Sequence, residues 1–114
     1  LGNCYYKKND FDSAIKYYED AKKKYLPEVL KAAVYSSLSS SYEEKGDYNK
    51  AVLNYEEMIK KFPDYHAKDE MLINMARNLK LAGKNDQAKE KYKEVISKYP
   101  DSYWASFAKE NIER

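Results

Sequence analysis

Residues 35–63 read YSSLSSSYEEKGDYNKAVLNYEEMIKKFP, and most of the unusual residues in this stretch recur elsewhere in the chain at one interval. The interval is 37 residues, since 51 − 14 = 37 and 88 − 51 = 37. The series that keep it are Ala14, Ala51 and Ala88; Tyr18, Tyr55 and Tyr92; Leu1, Leu38, Met75 and Ile112; and Asn9, Gly46 and Gly83. A single interval over the whole chain indicates a stacked array of supersecondary units.

The residues within one interval indicate a pair of helices. An aromatic-x2-Leu-small-x2-Tyr spacing is followed by an Ala-x3-aromatic spacing and then by a proline. The residues that carry this pattern are Tyr35, Leu38, Ser39, Tyr42, Ala51, Tyr55 and Pro63. The pattern resembles the tetratricopeptide repeat, a helix-turn-helix unit of about 34 residues. The resemblance implies an all-α fold, a right-handed superhelical solenoid of antiparallel helix pairs, with about three units and a terminal helix.

The repeat frame predicts one array over residues 1–114. Its units are 1–27, 28–64 and 65–101, with a terminal helix at 102–114, and the predicted helices are 1–8, 11–24, 28–45, 48–61, 65–82, 85–98 and 102–113. The interval exceeds that of the family by about three residues. The surplus lies between Pro63 and Met75, so we expect the first helix of a repeat to begin early, lengthened by nearly one turn. Because Leu1 and Arg114 fall inside predicted first helices, we interpret the chain as a piece of a longer repeat protein.

Composition argues against several classes of function. Charged residues make up 35% of the chain, and the net charge is only +2. No apolar run approaches the roughly 20 residues that a membrane span needs, and we expect no cleavable signal segment before the first repeat. With Arg77 and Arg114 as the only arginines, we expect no nucleic-acid partner.

The sequence also lacks the residue patterns of catalysis. There is no glycine-rich phosphate loop, His66 is the only histidine, and Cys4 is the only cysteine. Neither has a second ligand at metal-binding spacing. We therefore predict that the protein is not an enzyme and binds no metal and no cofactor.

The resemblance implies that first helices line a concave, partner-binding groove. The positions that the shared interval assigns to it are Asn3, Tyr6, Ser36, Ser40, Glu43, Ile73, Arg77 and Lys80. We expect a peptide or protein ligand with an apolar anchor over Ile73 and an acidic group near Arg77 and Lys80. Relatives that clamp a terminal carboxylate carry Asn, Lys and Arg where this chain has Ser37, Glu70 and Asn74, which argues against such a clamp.

The predicted function is therefore a protein–protein interaction scaffold. The alternative is a structural spacer or self-association segment of a larger repeat protein, joined through exposed end helices. The longer interval and the Pro-Asp starts at Pro63 and Pro100, each followed by an alanine, Ala67 and Ala105, resemble bacterial cell-envelope members of the family, such as TolA-binding proteins and outer-membrane assembly lipoproteins. This resemblance favours the periplasm or cell envelope over the cytoplasm.

Overall fold

The structure, a computed structural model, describes residues 10–112. Within that range it contains six helices and no strands. They are α1 (Phe11–Lys22), α2 (Glu28–Lys45), α3 (Tyr48–Lys61), α4 (Lys68–Leu81), α5 (Asn85–Lys98) and α6 (Tyr103–Asn111). In the repeat frame α2, α4 and α6 are first helices, and α1, α3 and α5 are second helices. The predicted all-α fold is confirmed.

The predicted lengthening of the first helices is correct for α2 but wrong for α4. α2 begins directly after Pro27, whereas residues 63–67 form turns and α4 begins at Lys68. Proline followed by aspartate is typical of the two central positions of a β-turn. The later Pro-Asp pair shows this, since the amide of Ser102 donates to the carbonyl of Tyr99 at 3.0 Å. The three extra residues of these repeats are therefore turn residues.

Two glycines end first helices, as the interval predicted. Gly46 and Gly83 have φ of 89° and 81°, the left-handed conformation that side chains with a Cβ disfavour. Each is followed by an amide that donates to a carbonyl five residues earlier, from Asp47 to Tyr42 and from Lys84 to Leu79, both at 2.8 Å. These bonds close the last helical turn, so α2 and α3, and likewise α4 and α5, are joined by tight connections.

Of the two aspartates that directly precede second helices, Asp10 and Asp47, only Asp10 caps its helix through its side chain. The carboxylate of Asp10 accepts a hydrogen bond from the amide of Ser13 at 3.2 Å and so caps α1. The Asp47 side chain makes no such bond and instead lies 3.6 Å from the ammonium of Lys50. An ion pair with a neighbour has replaced the cap.

The chain forms two compact units, one ending at Phe62 and the other beginning at Pro63. In the first, α2 contacts both α1 and α3; in the second, α5 contacts both α4 and α6, and α4 also contacts α6. The buried cluster of the first unit consists of Ala14, Tyr18, Leu38, Tyr42 and Ala51, with Ile15 and Val34 partly buried against it. The division lies close to the predicted boundary between the second and third repeats. A single array over the whole chain stays a prediction.

The repeat-defining residues are buried, as predicted. Ala14, Ala51 and Ala88 are buried, and so are Tyr18, Tyr55 and Tyr92. Small residues at this position let two helices approach closely, and the tyrosines fill the space beside them. None of the helices in residues 10–112 combines the length and the apolar character that crossing a membrane requires.

Replacing Ala51 by leucine tests the register directly. Ala51 is fully buried in the cluster shared by α1, α2 and α3, so added methylenes must displace its neighbours. We expect the free energy of unfolding to fall by about 1–3 kcal/mol, measured by urea unfolding. Asn49→Leu adds similar bulk at an exposed position of the same helix and serves as control. Equal stability of the two variants would show that Ala51 is not a packing residue.

Candidate partner-binding surface and the polar cluster beneath it

The predicted groove residues of α2 lie on one side of the helix. Ser36, Ser40 and Glu43 are spaced four and three residues apart, which places them on one face, and all three are partly accessible. The hydroxyl of Ser36 lies 3.9 Å from the sulfur of Met58 on α3. This face of α2 therefore offers two hydroxyls and one carboxylate. Asn3 and Tyr6, the other residues predicted for this side of the groove, lie outside the described residues.

On α4 one of the three predicted residues is misplaced. Arg77 is exposed and Lys80 is partly accessible, but Ile73 is only 1% exposed. Asp69, one turn before Ile73, accepts a hydrogen bond from the Ser102 hydroxyl at 2.5 Å. The start of α6 thus approaches α4 on the side that carries Ile73. The expectation of an apolar anchor over Ile73 is wrong, because this side chain belongs to the core of its unit.

Two basic residues are accessible in the last turns of α4, whereas its first turn carries Asp69 and Glu70. Arg77 and Lys80 are three residues apart and project from neighbouring turns. Arg77 is also close enough to Tyr92 on α5 to oppose the rise in the Tyr92 pKa that burial causes. The two cations form a small positive surface on a helix whose other faces are buried, at Met71, Leu72, Met75, Ala76 and Leu79.

A buried polar cluster, which the sequence did not reveal, holds the first unit together. Its centre is Asn54 on α3, which is inaccessible to solvent. The Asn54 amide nitrogen donates to the carbonyl of Tyr35 and to the hydroxyl of Ser39, both at 2.7 Å. The Asn54 amide oxygen accepts from the ammonium of Lys22 on α1 at 3.2 Å. One side chain therefore connects all three helices.

Lys22 links two carboxylates of the same cluster. Its ammonium lies 3.2 Å from a carboxylate oxygen of Glu19 and 3.2 Å from one of Glu57. It also lies 4.9 Å from the centre of the Tyr35 ring, a distance at which a cation is attracted to the ring face. The positive charge of Lys22 thus offsets two negative charges between α1 and α3.

Two tyrosine hydroxyls complete the cluster. Tyr35 donates to Glu57, and Tyr42 donates to Glu19 at 2.5 Å. Burial raises the pKa of both tyrosines, and the hydrogen bonds to the carboxylates raise it further. Burial opposes ionisation of Glu57, but the hydrogen bonds from Tyr35 and Lys22 hold its pKa below the usual range. A raised pKa keeps both tyrosines protonated near neutral pH, so each hydroxyl remains a donor to its carboxylate.

The small cleft above this cluster carries no further chemistry. Its volume is about 320 Å³, and it is lined by Glu19, Lys22, Tyr42, Lys50, Leu53, Asn54 and Glu57. Within residues 10–112 no three histidine, cysteine, aspartate or glutamate side chains are grouped so as to hold a metal ion. The charged groups of the cleft bind one another, which suits a structural role.

Three matches to known repeats settle the family. The tetratricopeptide repeat family profile matches residues 1–25, 37–65 and 70–102. The chain belongs to the tetratricopeptide repeat family. The profile thus recurs three times, once in each predicted repeat.

A solved structure agrees with this assignment. The complex of the TPR2AB domain of yeast Sti1 with pHSP90 contains a chain that superposes on this tetratricopeptide repeat chain with a TM-score of 0.74 and 18% sequence identity. The match covers 96% of this chain and 42% of the Sti1 chain. At this identity the likeness shows the fold alone. Among curated proteins no sequence matches this chain.

The family frame explains why the polar cluster escaped prediction. Asn54 corresponds by the interval to Tyr17 and Lys91, and Lys22 corresponds to Ile59 and Ile96. Residues that occur in one repeat only give no periodic signal. An asparagine on the apolar side of an amphipathic helix can indicate a buried polar contact. Only the structure shows that Asn54 is buried and is not a surface residue.

Proposed function

We propose that this tetratricopeptide repeat chain is a protein–protein interaction module that binds a partner on the exposed face of its first helices. The observation that carries the proposal is that Ser40 on α2 and Arg77 on α4, which hold the same repeat position 37 residues apart, are each accessible to solvent. The helices that carry these residues are otherwise buried on several sides. Family membership and the peptide complex of Sti1 support this reading.

The chemistry of α4 favours an acidic ligand. Arg77 supplies a planar group with several donors, and Lys80 supplies a point charge one turn away. Because Ile73 is buried, the apolar part of the affinity must come from another part of the surface. Two charges on an accessible surface attract a ligand most strongly at low ionic strength. We therefore expect a partner segment with acidic side chains, bound in a salt-dependent manner.

Reversing both charges tests the proposed surface. Peptides selected from a displayed random library against the unmodified chain serve as probes. Arg77→Glu with Lys80→Glu should weaken binding of the acidic probes by about tenfold or more, because like charges then face each other across the interface. The melting temperature should hardly change, since Arg77 is exposed and Lys80 partly accessible.

A matched control separates this effect from net charge. Lys89→Glu with Lys93→Glu changes the charge by the same amount at two exposed positions of α5. This control should bind the probes as the parent does. If the α4 reversal binds as tightly as the parent, or if both reversals weaken binding equally, the first-helix face is not the binding surface.

Self-association is the second candidate function. It is favoured by large apolar side chains that are exposed on the described surface, among them Tyr25, Val29, Leu53, Leu81 and Tyr103. Such side chains can mark contact surfaces when they are contiguous. Sedimentation over a range of concentrations discriminates the two functions, because a spacer that stacks on other copies forms larger species in the absence of any ligand. The bacterial cell-envelope origin and the periplasmic or envelope location stay proposals, which cell fractionation of the source organism would test.

A further inference from the structure

The accessible residues of α4 include four that form a narrow stripe along the helix. They are Glu70, Asn74, Arg77 and Leu81, which are spaced four, three and four residues apart. At 3.6 residues per turn these positions fall within about 60° of the helix circumference. Glu70, Arg77 and Leu81 are exposed, and Asn74 is partly accessible. We call these four residues the α4 stripe.

Buried residues flank the α4 stripe. Ile73 on one side is 1% exposed, and Asn78 on the other side is also buried. A helix that packs on another helix usually presents an apolar face roughly 100° wide or more. The α4 stripe is narrower, and three of its four residues are polar. It therefore suits a single extended segment better than a second helix.

Leu81 is an apolar residue that the repeat pattern does not require. It is 59% exposed, and the interval matches it with two charged residues, Glu44 and Lys7. A single exposed leucine needs no ligand to explain it. Leu81, however, lies on the same stripe as Arg77 and about 6 Å further along the helix axis. It therefore offers an apolar contact directly beside the cation that the proposed function uses.

Glu70 gives the other end of the stripe a negative charge. It lies about 10 Å from Arg77 along the helix axis, and its neighbour Asp69 adds a second carboxylate. Lys68, the nearest cation in the sequence, lies on the opposite side of the helix, since two residues correspond to about 200° of rotation. A basic group of a ligand is attracted to this end, and an acidic group is repelled. The stripe thus distinguishes the two directions of a charged segment.

We propose that the α4 stripe binds an extended segment of a partner protein in which an apolar, an acidic and a basic residue follow one another in that order. The apolar residue packs on Leu81, and the acidic residue meets Arg77 and Lys80. The basic residue meets Glu70, and the Asn74 amide bonds to the backbone between them. An extended chain advances about 3.3 Å per residue. The acidic residue should therefore stand about two residues from the apolar one, and the basic residue about three residues beyond it.

This inference rests on the proposed function and adds to it the apolar anchor and the charge order of the ligand. The expected anchor at Ile73 is absent because that side chain is buried, and Leu81 takes over its role. Glu70 is assigned as the residue that selects the direction and the charge pattern of the bound segment.

Peptide selection tests the charge order and the anchor together. A displayed random library is selected separately against the parent chain, Leu81→Ser and Glu70→Lys. Peptides enriched on the parent should share the apolar, acidic and basic order. Those enriched on Leu81→Ser should lose the apolar preference and keep the acidic one, and those enriched on Glu70→Lys should carry an acidic residue in place of the basic one. Because both substituted residues are exposed, the melting temperature should stay unchanged.

Affinity measurements with matched controls separate the two contacts. One parent-selected peptide is synthesised with blocked ends, which removes its terminal charges. Leu81→Ser and Glu70→Lys should each weaken its binding by roughly three- to tenfold. Leu53→Ser on α3 and Glu90→Lys on α5 make the same changes at exposed positions and should bind as the parent does. Added salt should reduce the loss caused by Glu70→Lys but not the loss caused by Leu81→Ser.

A charge exchange identifies the contact with Glu70. A peptide in which the basic residue is replaced by glutamate should bind the parent more weakly than the original peptide does. It should bind the Glu70→Lys protein more tightly than the original peptide does, because the exchange restores opposite charges. Equal discrimination by both proteins would show that Glu70 does not face this residue of the ligand.

Several outcomes would overturn the inference. If the apolar and basic preferences persist on Leu81→Ser and Glu70→Lys while the acidic preference still depends on Arg77 and Lys80, the inference fails and the proposed function stands. If no acidic preference is found, or no peptide is enriched, both fail. A lower melting temperature of Leu81→Ser, or a change in its sedimentation without ligand, would show that Leu81 packs within the protein or on another copy of it.

Discussion

Replacing Tyr35 by alanine should lower the free energy of unfolding by about 3–5 kcal/mol, the range observed when large buried aromatic side chains are truncated. Tyr35 is completely buried, packs against Phe62 and lies beneath Lys22. Its removal also leaves Glu57 without its hydroxyl donor. Urea unfolding followed by far-UV circular dichroism measures the change. Fluorescence of Trp104, the only tryptophan, reports the second unit separately.

Tyr35→Phe is the matched control for this experiment. It keeps the ring and its packing and removes only the hydroxyl, so the expected loss is about 1 kcal/mol or somewhat more, as for one hydrogen bond to a charged group. A Trp104 transition that shifts together with the circular dichroism would show that the two units unfold cooperatively. If the alanine and phenylalanine variants were equally stable, the ring would contribute nothing and the packing described for Tyr35 would be incorrect.

Tyr55→Ala is the second large effect that we expect. Tyr55 lies four residues after Ala51 and is 5% exposed, so its truncation opens a cavity within the first unit. The loss should again be about 3–5 kcal/mol, with its size depending on how far the neighbours relax into the space. Thermal and urea unfolding measure it, and the predicted binding of acidic probes to α4 gives an independent readout.

An exposed tyrosine provides the comparison for Tyr55. Tyr103 is 72% exposed, and its replacement by alanine should change stability by no more than about 0.5 kcal/mol. Comparing the stability losses of the two variants separates the effect of burial from the effect of removing a tyrosine. A Tyr55→Ala protein that kept full stability but lost partner binding would mean that Tyr55 is a ligand contact and that the repeat position does not define the core.

Much of the local structure follows from the interval alone. The first and last residues of α3 and α5 agree with prediction. Gly46 and Gly83 lie just before these helices and Pro63 and Pro100 just after them, and each of these residues restricts helix continuation through its own backbone conformation. The start of α4 does not agree, because Pro63 and Asp64 suit a turn as well as a first helical turn. Whether these two residues form a turn or the start of α4 depends on how the following helix packs.

The binding surface was less predictable than the core. The accessible positions of Ser40 and Arg77, each on its own first helix, can be derived from spacing, since the interval gives them the same repeat position. The burial of Ile73 could not, because it depends on packing between helices that spacing does not encode. The hydrogen bond between Ser102 and Asp69 is another such contact, since it joins residues 33 positions apart and neither belongs to the repeat pattern.

The sequence by itself determined the family, the all-α fold and the packing residues Ala51 and Tyr55, because each depends on local spacing that is repeated three times. Only the tertiary structure determined the polar cluster around Asn54 and the burial of Ile73. These features depend on which side chains contact each other across helices. Such contacts are set by how the helices pack, and a residue that occurs in one repeat only produces no periodic signal in the sequence.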